Sequence, residues 1–176
     1  MSFTDPVKNL KNLNLHDGLI VADMGAGSGA YTLAAATHVE PGGRVYALDV
    51  QQDLLARIKN NAQAHKITNI EVVHGDIESV GGTRLKEKSI DVAIVSNVLF
   101  QLEDKDGFIQ ELQRILKSGG RVMVIDWTES FGGLGPHQDH IVTEESAKNL
   151  FEKAGFTLLN SFDPGDHHYA LIYKMP

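Results

Sequence analysis

The sequence predicts an α/β fold built on a doubly wound, mostly parallel β-sheet. Short apolar segments alternate five times with segments of helical pattern, and two more apolar segments end the chain. Such alternation is typical of parallel strands joined by right-handed helical crossovers that cover both faces of the sheet. The closing pair of strands surrounds Pro164-Gly165-Asp166, so we expect one antiparallel strand near an edge.

Local signals place each element. Asp5-Pro6 is an N-cap followed by a proline suited to the first helical turn, and Thr143 and Gly155 bracket the last helix. Ser118-Gly119-Gly120 is expected to end the fourth long helix and turn the chain into the fifth strand. The predicted helices are 7–13, 30–38, 51–65, 105–116 and 144–154, with a short helix plus loop within 77–88. The predicted strands are 19–23, 44–49, 69–74, 90–95, 121–126, 156–162 and 168–174.

Composition limits the classes of function. The 176 residues are expected to form one domain, 1–176, with 42% hydrophobic and 22% charged residues. The net charge of −7 argues against nucleic acid or an anionic membrane as a partner. The N-terminal residues lack the pattern of a signal peptide, so we expect a cytoplasmic location. With no cysteine, the chain has no disulfides and no thiolate metal ligands.

Polar side chains recur where the predicted strands end. In a doubly wound sheet the ligand lies outside the carboxyl ends of the strands, so these side chains are expected to meet at one site. The residues are Asp23, Asp49, Asp76, Ser96, Asn97 and Asp126.

The segment 21–33 runs from an apolar strand through three alternate glycines into an alanine-rich helix. Glycines let a ligand approach the backbone, and the first helical turn presents unpaired N–H groups. The pattern Gly25-x-Gly27-x-x-Ala30, followed by Asp49, also fits a dinucleotide-binding site, so an NAD-binding oxidoreductase is an alternative. Against it, Asp23 would repel a pyrophosphate, and little chain remains for a substrate domain.

The segment 23–29, Asp-Met-Gly-Ala-Gly-Ser-Gly, resembles the first motif of the class I S-adenosylmethionine-dependent methyltransferases. The segments 48–50, 75–77 and 90–99 resemble its later motifs in order, and 117–122 resembles the turn into its fifth strand. The similarity extends from about residue 5 to the end of the chain and is closest to small stand-alone methyltransferase-domain proteins. It implies a Rossmann-like seven-stranded sheet in the order 3-2-1-4-5-7-6, with strand 7 antiparallel.

The resemblance also implies a site for S-adenosylmethionine. The glycine loop would pass beneath the methionine and ribose, and Asp23 would support the loop and the cationic amino end. Asp49 would accept the ribose hydroxyls, Asp76 would bind the adenine amino group, and Asn97 would lie near the methionine moiety. The implied cofactor-binding residues are Asp23, Gly25, Ala26, Gly27, Gly29, Asp49, Val50, Asp76, Ile77 and Asn97.

The methyl acceptor leaves weaker signals. A displacement at an activated methyl group needs a base only if the nucleophile carries a proton, so a catalytic residue need not be evident. Candidate bases lie in the late loops, and the segment 131–135 is either a lid or a plain flexible connection. These candidates are His137, His140, His167 and His168. No metal is predicted, because nothing fixes a ligand geometry around the candidate ligands His137, Asp139, His140, Asp166 and His167.

We expect a small-molecule acceptor first and a protein side chain next. Ser96-Asn97-Val98-Leu99 stands where enzymes that methylate nucleic-acid bases carry an Asn-Pro-Pro-Tyr-type motif, which argues against such bases. A non-catalytic module that binds S-adenosylmethionine is a further alternative to an enzyme.

Overall fold

A single seven-stranded sheet organises the computed structural model, which describes residues 4–176. The strands are β1 Ile20–Met24, β2 Arg44–Asp49, β3 Ile70–His74, β4 Ile90–Ser96, β5 Leu116–Trp127, β6 Thr157–Phe162 and β7 His168–Lys174. Their spatial order is β3-β2-β1-β4-β5-β7-β6, and β7 is antiparallel to both of its neighbours. The predicted fold class, strand order and strand directions are therefore confirmed. Residues 1–3 of the predicted domain lie outside the described residues.

Five α-helices within residues 4–176 connect or precede the strands. They are α1 Pro6–Leu10, α2 Ala30–His38, α3 Gln52–Ala64, α4 Lys105–Ile115 and α5 Glu144–Lys153, with a 3-10 turn at Lys11–Leu13 extending α1. The predicted caps are present: Asp5 Oδ1 accepts from the Lys8 N–H at 3.2 Å, and Thr143 Oγ1 accepts from the Ser146 N–H at 3.1 Å. Gly155 follows α5 with φ +88°, the left-handed conformation that ends helices.

The core forms two layers on opposite faces of the sheet. Alternate residues of each central strand point to opposite faces, so Val92 and Ile94 pack on the side of α1 and α2, whereas Ala93 and Val95 pack on the side of α4 and α5. Burial on both faces explains the nearly continuous apolar sequence of β4. The layers leave the carboxyl ends of β1 to β4 at one edge, where the loops can form a site.

Two local predictions are wrong. Residues 77–88 contain turns and no helix, because Asp76 accepts from the Glu78 N–H and the Ser79 hydroxyl and bends the chain there. Strand β5 begins at Leu116, so Gly119 and Gly120 lie within a strand. Long-range pairing explains this, because the Gly119 N–H donates to Met175 O and the Met175 N–H donates to Gly120 O.

No helix within residues 4–176 has the length and apolar character needed to cross a membrane.

Candidate cofactor site

A cavity of about 600 Å³ lies at the carboxyl ends of β1 to β4. Nine of the ten residues predicted to bind the cofactor line it: Asp23, Gly25, Ala26, Gly27, Asp49, Val50, Asp76, Ile77 and Asn97. Gly29 does not. A Cβ at Gly29 would stand 2.6 Å from Ile58 Cγ1, so this glycine lets α2 pack against α3. The structure thus gathers the strand ends as predicted and gives Gly29 a packing contact.

The glycine loop between β1 and α2 forms the floor of the cavity. Gly25 has φ +80°, and a Cβ there would lie 2.7 Å from Val98 Cγ2. The loop can pack this closely against the end of β4 because position 25 has no side chain. Gly27 has φ +53°, and no atom lies within 4 Å of the position that its Cβ would take. Gly25 therefore closes the wall, whereas Gly27 leaves space open to a ligand.

Asp23 is a buried carboxylate in the wall of the cavity. It is only 1% exposed, and its Oδ2 accepts from Thr32 Oγ1 at 2.6 Å. Burial raises the pKa of Asp23 to about 6, although the hydrogen bonds from Thr32 oppose the shift. A bound cation would offset this cost of burying the negative charge.

Asp49, at the end of β2, connects two elements of the site. Its Oδ2 accepts from the Gly27 N–H and its Oδ1 from the Gln51 N–H, both at 2.9 Å. The carboxylate therefore holds the glycine loop against the start of α3. Each of its oxygens retains a further lone pair that can accept from a ligand hydroxyl.

The third strand end combines a carboxylate with apolar side chains. Asp76 is exposed, and hydrogen bonds from Ser79 Oγ and the Glu78 N–H lower its pKa. Ile77 is nearly buried, whereas Val50 is 59% exposed at the rim. A carboxylate beside two apolar side chains suits a planar ring that carries an amino group.

Asn97, directly after β4, adopts an unusual conformation. Its φ is +58°, its N–H donates to Ile125 O at 2.8 Å, and its carbonyl accepts from Gln101 Nε2 at 2.7 Å. Its side-chain Oδ1 is buried and has no hydrogen-bond partner within residues 4–176. Because buried acceptors are normally satisfied, this oxygen in the cavity wall indicates a place for a ligand donor.

Sequence reasoning assigned no role to several other lining residues, among them Tyr31, Gln101 and Leu102. Tyr31 Oη accepts from Asn9 Nδ2 at 3.0 Å, and Asn9 Nδ2 also donates to Pro164 O at 3.1 Å, so α1 is fastened over this edge of the sheet. Burial raises the pKa of Tyr31, which keeps the phenol protonated. In the sequence, only the position of Tyr31 in the first turn of the helix after the glycine loop indicates that it lies near the site.

The four candidate histidines lie away from the cavity wall. None of them, all within the described chain, is among its lining residues. His137 Nδ1 lies 3.2 Å from Asp139 Oδ2 at the surface, and His140 lies beside them. His167 stacks on Phe131 with ring centroids 3.9 Å apart, and its Nδ1 lies 2.8 Å from Glu129 Oε1.

His168 is buried beside Trp127, with ring centroids 4.2 Å apart. Its Nδ1 lies 2.8 Å from Asp166 O, which assigns the ring proton to Nδ1. Burial lowers the pKa of His168, so the ring is neutral near pH 7. Any role in catalysis would require access from the acceptor side, beyond the described cavity. Within residues 4–176, no three His, Asp or Glu side chains are grouped to hold a metal ion.

The charge of the cavity distinguishes between possible cofactors. Four acidic residues line it, Asp23, Asp49, Asp76 and Glu78, and no lysine, arginine or histidine of the described chain does. A pyrophosphate would be repelled by this lining, whereas a sulfonium and an ammonium would be attracted. The acidic lining, the free Asn97 Oδ1 and the open space at Gly27 therefore fit S-adenosylmethionine better than NAD.

Comparison with known proteins identifies the class. A family model described as a methyltransferase domain matches residues 15–164. The structure superposes on a SAM-dependent methyltransferase from Aquifex aeolicus with a TM-score of 0.89 and 24% identity, over 99% of this chain and 91% of the other. The chain belongs to the methyltransferase-domain family. This confirms the predicted methyltransferase family, and the superposition shows that the fold is shared with this neighbour.

Curated relatives differ in what they methylate. The chain is 35% identical to an arsenite methyltransferase of Aquipseudomonas alcaligenes over 64% of this chain and 34% of the relative. It is 23% identical to a demethylmenaquinone methyltransferase of a Geobacillus strain over 68% of this chain and 50% of the relative. The matched segment thus spans a third to a half of the length of these relatives.

Proposed function

We propose that this chain catalyses methyl transfer from S-adenosylmethionine to a small-molecule acceptor. The observation that carries the proposal is the convergence of Asp23, Asp49, Asp76 and Asn97 on one cavity without a basic side chain in its described wall. Bound there, S-adenosylmethionine supplies a methyl group activated by a positively charged sulfur. The protein then has to bind and orient the cofactor and the acceptor, and it has to exclude water from the site.

We assign the residues as follows. Asp23 and Asn97 Oδ1 hold the amino end of the methionine moiety, one as a buried carboxylate and the other as an unpaired acceptor. Asp49 accepts from the ribose hydroxyls while it fixes the Gly27 N–H. Val50 and Ile77 enclose the adenine ring and Asp76 accepts from its amino group, since all three line the cavity and follow the neighbouring strands β2 and β3.

The acceptor is proposed to approach next to the methionine end. β5 lies beside β4, with Ser96 opposite Ile125, so Trp127 follows at the same edge of the sheet. The rings of Trp127 and His168 pack together there, and Phe131 and His167 form a second pair. Aromatic surfaces of this kind favour an apolar, planar small molecule.

An arsenic acceptor fits this chain less well than an organic one. Arsenic(III) is a soft centre that prefers thiolate ligands, and the 176 residues include no cysteine. We therefore place an organic acceptor first and a protein side chain second. We also infer one domain over residues 1–176, supported by the single sheet, and propose a cytoplasmic location.

The test is a transfer assay with S-adenosylmethionine labelled in the methyl group. The acceptors offered are a metabolite panel and a cell extract that is separated after the reaction into small molecules and protein, and we expect label in the small organic molecules. Label only in protein would replace the small-molecule acceptor by a protein side chain. Tight cofactor binding without transfer to either fraction would instead favour a non-catalytic module.

A further inference from the structure

The turn after β4 hydrogen-bonds through its backbone to a buried carboxylate on β5. Asp126, near the end of β5, is fully buried. Its Oδ2 accepts from the Leu99 N–H and its Oδ1 from the Trp127 N–H, both at 2.8 Å. The neighbouring N–H groups of Val98 and Phe100 also favour the charged form of this carboxylate and lower its pKa. Backbone N–H groups of the turn and of Trp127 thus face one side chain.

This turn forms a wall of the cofactor cavity. Asn97, Val98, Gln101 and Leu102 line the cavity, whereas Asp126 does not. Val98 is pressed against Gly25, where an added Cβ would lie 2.7 Å from its Cγ2. The left-handed Asn97, with its unpaired Oδ1, stands at the start of the same turn. Any shift of the turn would therefore change the contact between Val98 and Gly25 and displace the unpaired Asn97 Oδ1.

We propose that Asp126 is a positioning residue for cofactor binding, which acts by fixing the backbone of residues 98–100 and so the side chains of Asn97 and Val98. This inference rests on the proposed function. Asp126 does not itself touch the cofactor. Its carboxylate supplies the acceptors that the turn needs in order to keep Asn97 in a conformation that a residue with a side chain adopts rarely.

A purely structural role explains the carboxylate less well. Burial raises the pKa of Asp126 to about 6, and backbone hydrogen bonds only partly oppose this, so the ionised form is costly at pH 7. The titratable group that faces it is Tyr169 on β7, which lies opposite in register and donates its hydroxyl to Val142 O. No cation compensates the charge among the contacts that set this pKa. The cost of burying the Asp126 charge is therefore explained by its role in ordering the turn after β4, which lines the cavity.

The test compares Asp126→Asn with Asp91→Asn. Asp91 is a matched control, because its carboxylate accepts from the Ile20 N–H and Lys117 Nζ at the opposite end of β4, away from the cavity. Calorimetry at a temperature where all variants are folded gives the Kd of S-adenosylhomocysteine and of adenosine, which lacks the amino-acid moiety. Thermal melts without ligand report stability separately.

We expect Asp126→Asn to weaken S-adenosylhomocysteine binding by about tenfold or more, on the scale of one or two lost charge-assisted hydrogen bonds. Adenosine binding should weaken by a smaller factor, because its contacts lie at β2 and β3. Asp91→Asn should lower the melting temperature and leave both Kd values within about twofold of the wild type. Equal losses for the two ligands, or an unchanged Kd for S-adenosylhomocysteine, would overturn the proposal.

A measurement on the wild type covers the case in which Asp126→Asn does not fold. The amide NMR signal of Leu99 should follow the titration of Asp126, and saturating S-adenosylhomocysteine should lower its midpoint by about half a pH unit or more, equivalent to roughly threefold tighter binding to the ionised form. An unchanged midpoint would refute the positioning role. If the wild type does not bind S-adenosylhomocysteine at all, the proposed function itself fails.

Discussion

At the scale of single residues, Asp23 combines two opposed demands. Its burial destabilises the ionised form, whereas a cationic cofactor needs that form. Because the folded-state pKa is raised to about 6, the stability that Asp23 contributes is present below about pH 4 and is lost as the pH rises through 6. The carboxylate is therefore a site where stability is given up for binding.

The first prediction concerns Asp23→Asn. At pH 8 the variant should raise the free energy of unfolding by on the order of 1–3 kcal/mol, because the buried charge is removed while an amide oxygen can still accept from Thr32. At pH 5 this gain should shrink, since the wild-type carboxyl is then mostly protonated. Urea unfolding at the two pH values measures it, with Asp53→Asn on the exposed start of α3 as the control.

Cofactor binding should follow the same ionisation in the opposite sense. A cation lowers the pKa of Asp23 on binding, so the wild-type Kd for S-adenosylmethionine should be about tenfold weaker at pH 5 than at pH 7. Asp23→Asn should bind weakly at both values and lose most of this dependence. A variant that keeps the wild-type pH profile would show that Asp23 does not hold the cationic end.

At the scale of elements, two glycines of the loop between β1 and α2 have different roles: Gly25 packs against Val98, whereas Gly27 leaves space open to a ligand. Gly27→Ala places a methyl group into the open cavity at φ +53°, so it should cost about 1–2 kcal/mol of stability and abolish measurable cofactor binding. Gly18→Ala is the matched control, because Gly18 has φ +83° and equally open surroundings before β1. It should lose similar stability and bind normally.

Calorimetric titration and thermal melts distinguish the two alanine variants. Equal binding by Gly27→Ala and Gly18→Ala would mean that the cofactor does not pass over Gly27. Loss of binding by both variants would mean that backbone strain alone disrupts the loop, and the steric account would have to be abandoned.

Local sequence patterns predict the bounds of some of these elements and not of others. Such patterns located α3 and β2 to within a residue or two. The extension of β5 through Gly119 and Gly120 depends on pairing with Met175, more than fifty residues away in the chain, which no local pattern records. The turns at 77–88 instead depend on short-range contacts, namely the hydrogen bonds that the Asp76 side chain accepts from residues 78 and 79 and the close approach of Gly75 to the Gly82 carbonyl.

The candidate site divides in the same way. Asp49 and Asp76 could be predicted because strand ends in a parallel sheet share an edge. The packing contact of Gly29, the lining residue Tyr31 and the backbone donors around Asp126 depend on distances between elements that are remote in sequence. The histidines of the late loops were plausible by residue type, but loop conformation places them outside the cavity wall.

At the scale of the whole molecule, the single sheet, packed on both faces, brings four acidic residues to one edge without a basic side chain among the lining residues described. The fold alone is compatible with several adenosine-containing cofactors, and this charge pattern selects among them. The central claim is therefore that the cavity is built for a cationic sulfonium cofactor.

Calorimetric titration of the wild type with S-adenosylmethionine, S-adenosylhomocysteine and NAD tests that claim most directly. We expect both sulfur cofactors to bind at one site per chain, with affinity for S-adenosylmethionine falling as the pH is lowered from 7 to 5, and no binding of NAD. Binding of NAD without binding of either sulfur compound would contradict the account.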